Sequence, residues 1–186
     1  MVTNVHNIFI SYHHGDTPTS GDRFYRERLE KILKTSGIAI NRSVPYEAID
    51  DDLKTETVRQ KIRDEYLRDV TVTIVLVGKD TWKRKHVDWE IGSSIRETQY
   101  NSRAGLLGLI LPTYPRIDPS KYTRYTIPPR LIDNVSNGYA ALYNWLEDPV
   151  SFQNIIHAAF KRRTEIIPNN SRPYFGNNRS GDSWTD

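Results

Sequence analysis

Apolar residues along this chain fall into short buried-type runs that alternate with stretches spaced for a helix. NIFISY (7–12) reads as a strand, and after the loop HHGDTPTSG a helix is predicted from about Asp22 to Thr35, with Tyr25, Leu29, Ile32 and Leu33 recurring at helical spacing. Gly37 is the usual helix stop, and IAI (38–40) follows as a second strand. Beyond the loop NRSVPYEAIDDD, Val58, Ile62 and Tyr66 mark a second helix with a cap among Asp50, Asp51 and Asp52. VTVTIVLVG (70–78) is β-branched and nearly all apolar, as a central strand covered on both faces should be. A third helix is predicted from about Thr81 to Thr98, and GLLGLIL (105–111) gives a fourth strand. After Pro112 the pattern loosens through a Tyr- and Pro-rich stretch. GYAALYNW then offers a fifth strand and DPVSFQNIIHAAFKRR a closing helix with proline in its first turn. Residues 168–186, rich in Asn, Ser, Gly and Arg, predict a flexible polar tail on a single domain spanning 1–167.

Such alternation implies an α/β fold of flavodoxin-like type, three layers deep, with a mostly parallel five-stranded sheet and helices on both faces. Ligands in open sheets of this kind sit beyond the carboxyl ends of the strands, here the loops His13 to Asp16, Asn41 to Asp52 and Gly78 to His86. On the helix leaving the last of these, Val87, Ile91 and Ile95 fall at four-residue steps and should face the sheet. Glu90 shares an adjoining stripe with His86 and Ser93 or Ser94, which lets it edge a pocket. The sequence holds no GxGxxG after its first strand, and no GxxxxGK[ST], HExxH or GxSxG, so the usual dinucleotide, P-loop, zincin and hydrolase-elbow readings lose their support.

With 37% apolar and 26% charged residues in 186, one soluble domain can bury a continuous core. Lys and Arg exceed Asp and Glu by only 26 to 23 and form no long block, so nucleic acid is not an expected partner. The absence of cysteine removes disulfides, thiol nucleophiles and CxxC zinc sites, which suits an intracellular protein. MVTNVHNIF lacks the pattern of a leader and AGLLGLIL is too short to span a bilayer, so a cytoplasmic location without membrane contact is expected. The aspartates 50–52 are most simply a helix cap with no second acidic cluster at ligand spacing, and no metal is assigned.

NIFISYHHGD at the start, VTVTIVLVGKDTW followed by HVDWEIGSSI in the middle, and IPPRLIDNVSNGYAALYNW late in the chain together resemble the TIR-like family that includes the Thoeris B antiphage defence proteins, over residues 5–162. The resemblance implies a TIR-like fold and, for catalytic members, cleavage of NAD at the nicotinamide glycosidic bond by one glutamate on the helix after the third strand. It further implies a cyclic ADP-ribose isomer as product, a diffusible signal to a separate effector, and TIR-like contacts between copies. Glu90 matches that glutamate by its place and its WE context. TIR enzymes often carry a tryptophan four residues earlier; here that position is His86, with Trp82 and Trp89 nearby.

The chemistry is coherent with one carboxylate. Nicotinamide in NAD is cationic and leaves neutral, so no second acid is needed to protonate a leaving oxygen, as it is in ordinary glycosidases. NAD is then a substrate and no cofactor is required. Glu90 would hold the ribose diol and oppose oxocarbenium-like charge, Tyr12, Trp82 and Trp89 would stack on the bases, and Ser11, His13 and His86 would complete the substrate site. Each residue also has a structural reading: Glu90 as a solvated acid near a helix start, Ser11 as a strand-end hydroxyl, Tyr12 and Trp89 as core, His13 as a loop residue, and KRK (83–85) as a solvated face rather than a phosphate site. A non-catalytic TIR-like interaction module is the alternative function, since fold does not fix activity.

Overall fold

The computed structural model describes residues 5–15, 21–42, 66–99 and 101–186. The predicted helix through Val58 and Ile62, its cap at Asp50 to Asp52, and Asp16 lie outside them. Five strands, β1 (His6–Ser11), β2 (Ala39–Asn41), β3 (Val72–Val77), β4 (Gly105–Ile110) and β5 (Ala140–Asn144), form one sheet in the order β2-β1-β3-β4-β5. Every pairing is parallel. The order reverses between β1 and β3, so the carboxyl ends of these two strands open the crevice where a ligand fits such a sheet.

The helices among the described residues are α1 (Asp22–Ser36), α2 (Lys85–Ser94), α3 (Pro129–Ser136) and α4 (Pro149–Glu165). On one face of the sheet, Leu29 and Leu33 of α1 and Phe152, Ile156 and Ala159 of α4 pack over Ile8, Ile10, Ile74 and Leu107. On the other, Val87 and Ile91 of α2 and Leu131 and Ile132 of α3 pack over Val75, Val77, Leu106 and Ile110. All six residues of β3 are buried, and each large apolar side chain there contributes about 1.5–3 kcal/mol of burial. Their uninterrupted run follows from this double cover.

Caps account for the ends. Gly37, at φ 65, closes α1 in the left-handed region, and the Asp148 side chain accepts from Ser151 N–H at 2.8 Å to open α4, with Pro149 at its first position. The predicted helix Thr81–Thr98 divides into a 3-10 turn, Thr81–Lys83, and α2, because Arg84 between them is extended. The Thr81 hydroxyl holds that turn by accepting from Gly78 N–H at 2.8 Å and donating to the buried Asp22 at 3.0 Å. At the other end α2 stops at Ser94, whose carbonyl accepts from Ala104 N–H at 2.8 Å as β4 begins. The stretch after Pro112 contains α3, which periodicity missed because it is only eight residues long and starts at a Pro-Pro pair, Pro128 and Pro129.

Residues 168–186, for which composition predicts a loose tail, carry no helix or strand, yet Phe175 and Trp184 within them are buried. The segment straps the outer side of α2, and a Cβ on Gly92 would lie 2.4 Å from the Tyr174 ring. Hence α2 is buried from Val87 to Ser94 instead of showing water a polar face. Among the described residues no helix is long and apolar enough to cross a membrane.

Candidate active site

Glu90 sits on α2 at 6% exposure, and its Oε2 accepts a hydrogen bond from the Ser11 hydroxyl at 2.6 Å. Ser11 is the last residue of β1, fully buried, so the strand end that the fold aims at the crevice is tied directly to the helix leaving β3. Burial pushes the Glu90 carboxyl up from the usual 4.5 to about 8, with the Ser11 hydrogen bond opposing it. A solvated helix-face acid would behave otherwise. Glu90 is therefore a buried carboxyl that a bound cation can draw into its charged form.

A cavity of about 290 Å³ starts at Tyr12, next in the chain to Ser11, and reaches Val87, one turn before Glu90. It is walled by Tyr12, His13, His14 and Gly15 from the loop after β1, by Arg84, His86 and Val87 at the start of α2, and by Asn178 of the C-terminal strap; Ser11 and Glu90 themselves are not among its described lining residues. Tyr12 serves both core and cavity: it packs with Ile8 and Leu29, and its ring centroid lies 3.9 Å from that of His14. His14 is held neutral at pH 7, its pKa lowered to about 4 by burial first and then by the electrostatic influence of His86, His13, Arg26 and Arg23. His86 meets Trp89 edge-on at 5.1 Å between centroids.

The structure thus brings Ser11, Tyr12, His13 and His86 around Glu90 or into the adjoining cavity. It places the two tryptophans elsewhere. Trp82 is packed with Val75, Val77 and Val87, while Trp89 packs against Phe9, Leu67 and Val70 and donates its indole N–H to the Phe175 carbonyl at 2.8 Å. Both are 2% exposed, and neither is among the described residues lining the cavity. Stacking surface at the cavity comes instead from Tyr12 and the histidines.

Sequence reasoning missed the framework that holds α2. Asp88 and Arg130, 3% and 0% exposed, form a buried ion pair at 2.9 Å. Arg130 also donates to the carbonyls of Arg172 at 2.8 Å and Pro173 at 3.2 Å, and to the Asn170 side chain at 2.7 Å; Asp88 in turn accepts from Phe175 N–H at 3.0 Å. Every charged end is satisfied, as burial requires. Asp88 alone looks like an acid placed for a helix start, and only the fold shows its partner 42 residues on. Asn178 was equally illegible; its Oδ1 accepts from Lys85 N–H at 2.9 Å. Among the described residues no group of three or more His, Asp or Glu side chains is placed to hold a metal ion.

Compared with known families, residues 9–115, more than half the chain, match the family described as Thoeris protein ThsB, TIR-like domain. The match contains Ser11, His13, His14, Arg84, His86 and Glu90, and ends before α3 and the strap. No curated protein matches the chain.

Proposed function

Because the chain belongs to the ThsB TIR-like family, we propose that it cleaves NAD at the nicotinamide glycosidic bond and closes the remaining ADP-ribose into a cyclic isomer that signals to an effector in antiphage defence. The observation that supports this most is the buried Glu90 carboxyl, hydrogen-bonded to Ser11 beside a cavity at the sheet's switch point. As the positively charged nicotinamide ribose approaches, it favours ionisation of Glu90, which then hydrogen-bonds the ribose hydroxyls and opposes the charge that grows on the anomeric carbon. The C–N bond breaks with its electron pair going to the ring nitrogen, so nicotinamide leaves neutral without a proton donor.

Cyclisation asks that an adenine nitrogen, rather than water, take the anomeric carbon. Tyr12 and His86 on the cavity wall offer surfaces for a folded-back base, which favours that course. Copies joined through TIR-like contacts fit the same reading, and NAD is substrate, not cofactor.

The test is incubation of purified protein with NAD, followed by chromatography for nicotinamide and mass analysis of the nucleotide product. The parent should release nicotinamide and yield a species one water lighter than ADP-ribose, and Glu90→Gln should be slower by at least about a hundredfold, the effect of losing one preorganised electrostatic group. Linear ADP-ribose alone would refute cyclisation. Turnover by the variant within a few fold of the parent would refute the role of Glu90, and a parent that releases no nicotinamide would favour the interaction module.

A further inference from the structure

The basic residues near the cavity are not equivalent. Arg23 pairs with Glu27 at 3.2 Å, Arg26 with Glu30 at 2.7 Å and Lys83 with Asp80 at 2.7 Å. The Lys85 ammonium lies 5.2 Å from the Trp89 ring centroid. Arg84 differs from all of these. It lines the cavity, its guanidinium has no ion pair or hydrogen bond among the described residues, and its Nε is buried without a partner. Arg84 itself is only partly buried, but an Nε that loses water without gaining an acceptor is costly, and a ligand in the cavity would supply the acceptor. The neighbouring side chain from the strap is Asn178, whose Oδ1 is committed to Lys85 N–H, which orients the carboxamide and leaves its NH2 to donate. Arg84 and Asn178 together thus offer donors from two chain segments on one cavity wall.

We infer that Arg84, assisted by Asn178, binds the diphosphate of a dinucleotide whose ribose reaches Glu90, so that a specificity-determining part of the site comes from a segment beyond the family-matched residues. The planar fork of arginine suits two phosphate oxygens at once. The identity of the ligand rests on the NAD reading proposed above; the preference for a diphosphate does not. Of the three residues in KRK, the fold commits Lys83 and Lys85 elsewhere and leaves the middle one for the anion.

The experiment measures binding rather than turnover. Full-length parent, Arg84→Gln, Arg84→Lys and Asn178→Asp are titrated calorimetrically with ADP, ADP-ribose and adenosine at low and high salt, with melting curves to confirm folding. The parent should bind ADP and ADP-ribose at least about tenfold more tightly than adenosine, and salt should weaken only the phosphorylated ligands. Arg84→Gln should lose about tenfold or more for those two ligands and leave adenosine unchanged, with Arg84→Lys intermediate. Asn178→Asp keeps an acceptor for Lys85 N–H but adds a negative charge, and should also weaken ADP by about tenfold. Parent that binds ADP no better than adenosine overturns the inference, as does undiminished ADP binding in either folded Arg84 variant or in Asn178→Asp. If Glu90→Gln keeps its turnover while Arg84→Gln loses ADP, the proposed chemistry fails and the diphosphate site stands.

Discussion

Replacing Glu90 by glutamine should stabilise the protein by an amount that grows with pH. The Glu90 carboxyl is held out of water with Ser11 as its hydrogen-bond donor, and burial raises its pKa from the usual 4.5 to about 8. Between these values the folded protein keeps a proton that the unfolded chain has released, so stability falls as pH rises and the whole cost is present above about 8. At about 1.4 kcal/mol per pH unit, that interval corresponds to roughly 5 kcal/mol. Glutamine has the shape of the protonated acid, offers an oxygen to Ser11 and does not titrate. Near pH 5 parent and variant should differ by no more than about 1 kcal/mol, the scale of one altered hydrogen bond. Near pH 9 the variant should lead by several kcal/mol. Urea unfolding of both proteins at matched pH supplies the difference, in which His6 and His14, whose pKa values burial lowers, cancel. A flat difference across this range, or a variant that is weaker throughout, refutes the reasoning and makes Glu90 an ionised structural acid.

Nicotinamide release, measured as kcat/KM, should climb with pH and level off above about 8, since only ionised Glu90 opposes positive charge; a level profile through neutral pH would contradict this. His86→Ala should mainly weaken NAD binding and His86→Trp should preserve or raise turnover, whereas unchanged affinity in the alanine variant would reduce His86 to a surface residue. Arg130→Met strips Asp88 of its buried cation and should cost about 3–5 kcal/mol in urea unfolding; a loss under about 1 kcal/mol would mean that the pair is not the clasp described here.

The fold was legible where neighbours along the chain decide it. Val72–Val77 announces a doubly covered strand, Gly37 a helix stop and Asp148-Pro149 a helix start, because each depends on its own covalent surroundings. Ser11 and Glu90 were also legible, one by its place at a strand end and the other by its stripe on the helix. The commitments that cross the fold were not. Asp88 and Arg130 look like ordinary polar residues until α3 brings them together, and the polar composition after Pro168 hides Phe175 and Trp184, two rings that are enough to seat an irregular segment. Trp82 and Trp89 misdirect in the opposite sense: an aromatic near a candidate acid invites a stacking role, but large rings beside a central strand are also what a core takes first.

The strap along α2 makes this protein its own spectroscopic sensor. Trp89 donates its indole N–H to Phe175, inside the strap, and Trp184, itself in the strap, donates to the carbonyl of Ile127 at 2.7 Å. Two of the chain's four indoles are thus dry and hydrogen-bonded only while the strap is seated, and their emission should shift to the red if it lifts, even when the sheet beneath is intact. Trp82, buried against β3 with no bond to the strap, would keep its emission until the core itself opens. Fluorescence can therefore separate opening of the cavity wall from unfolding, in solution and without a label, while ligand is added.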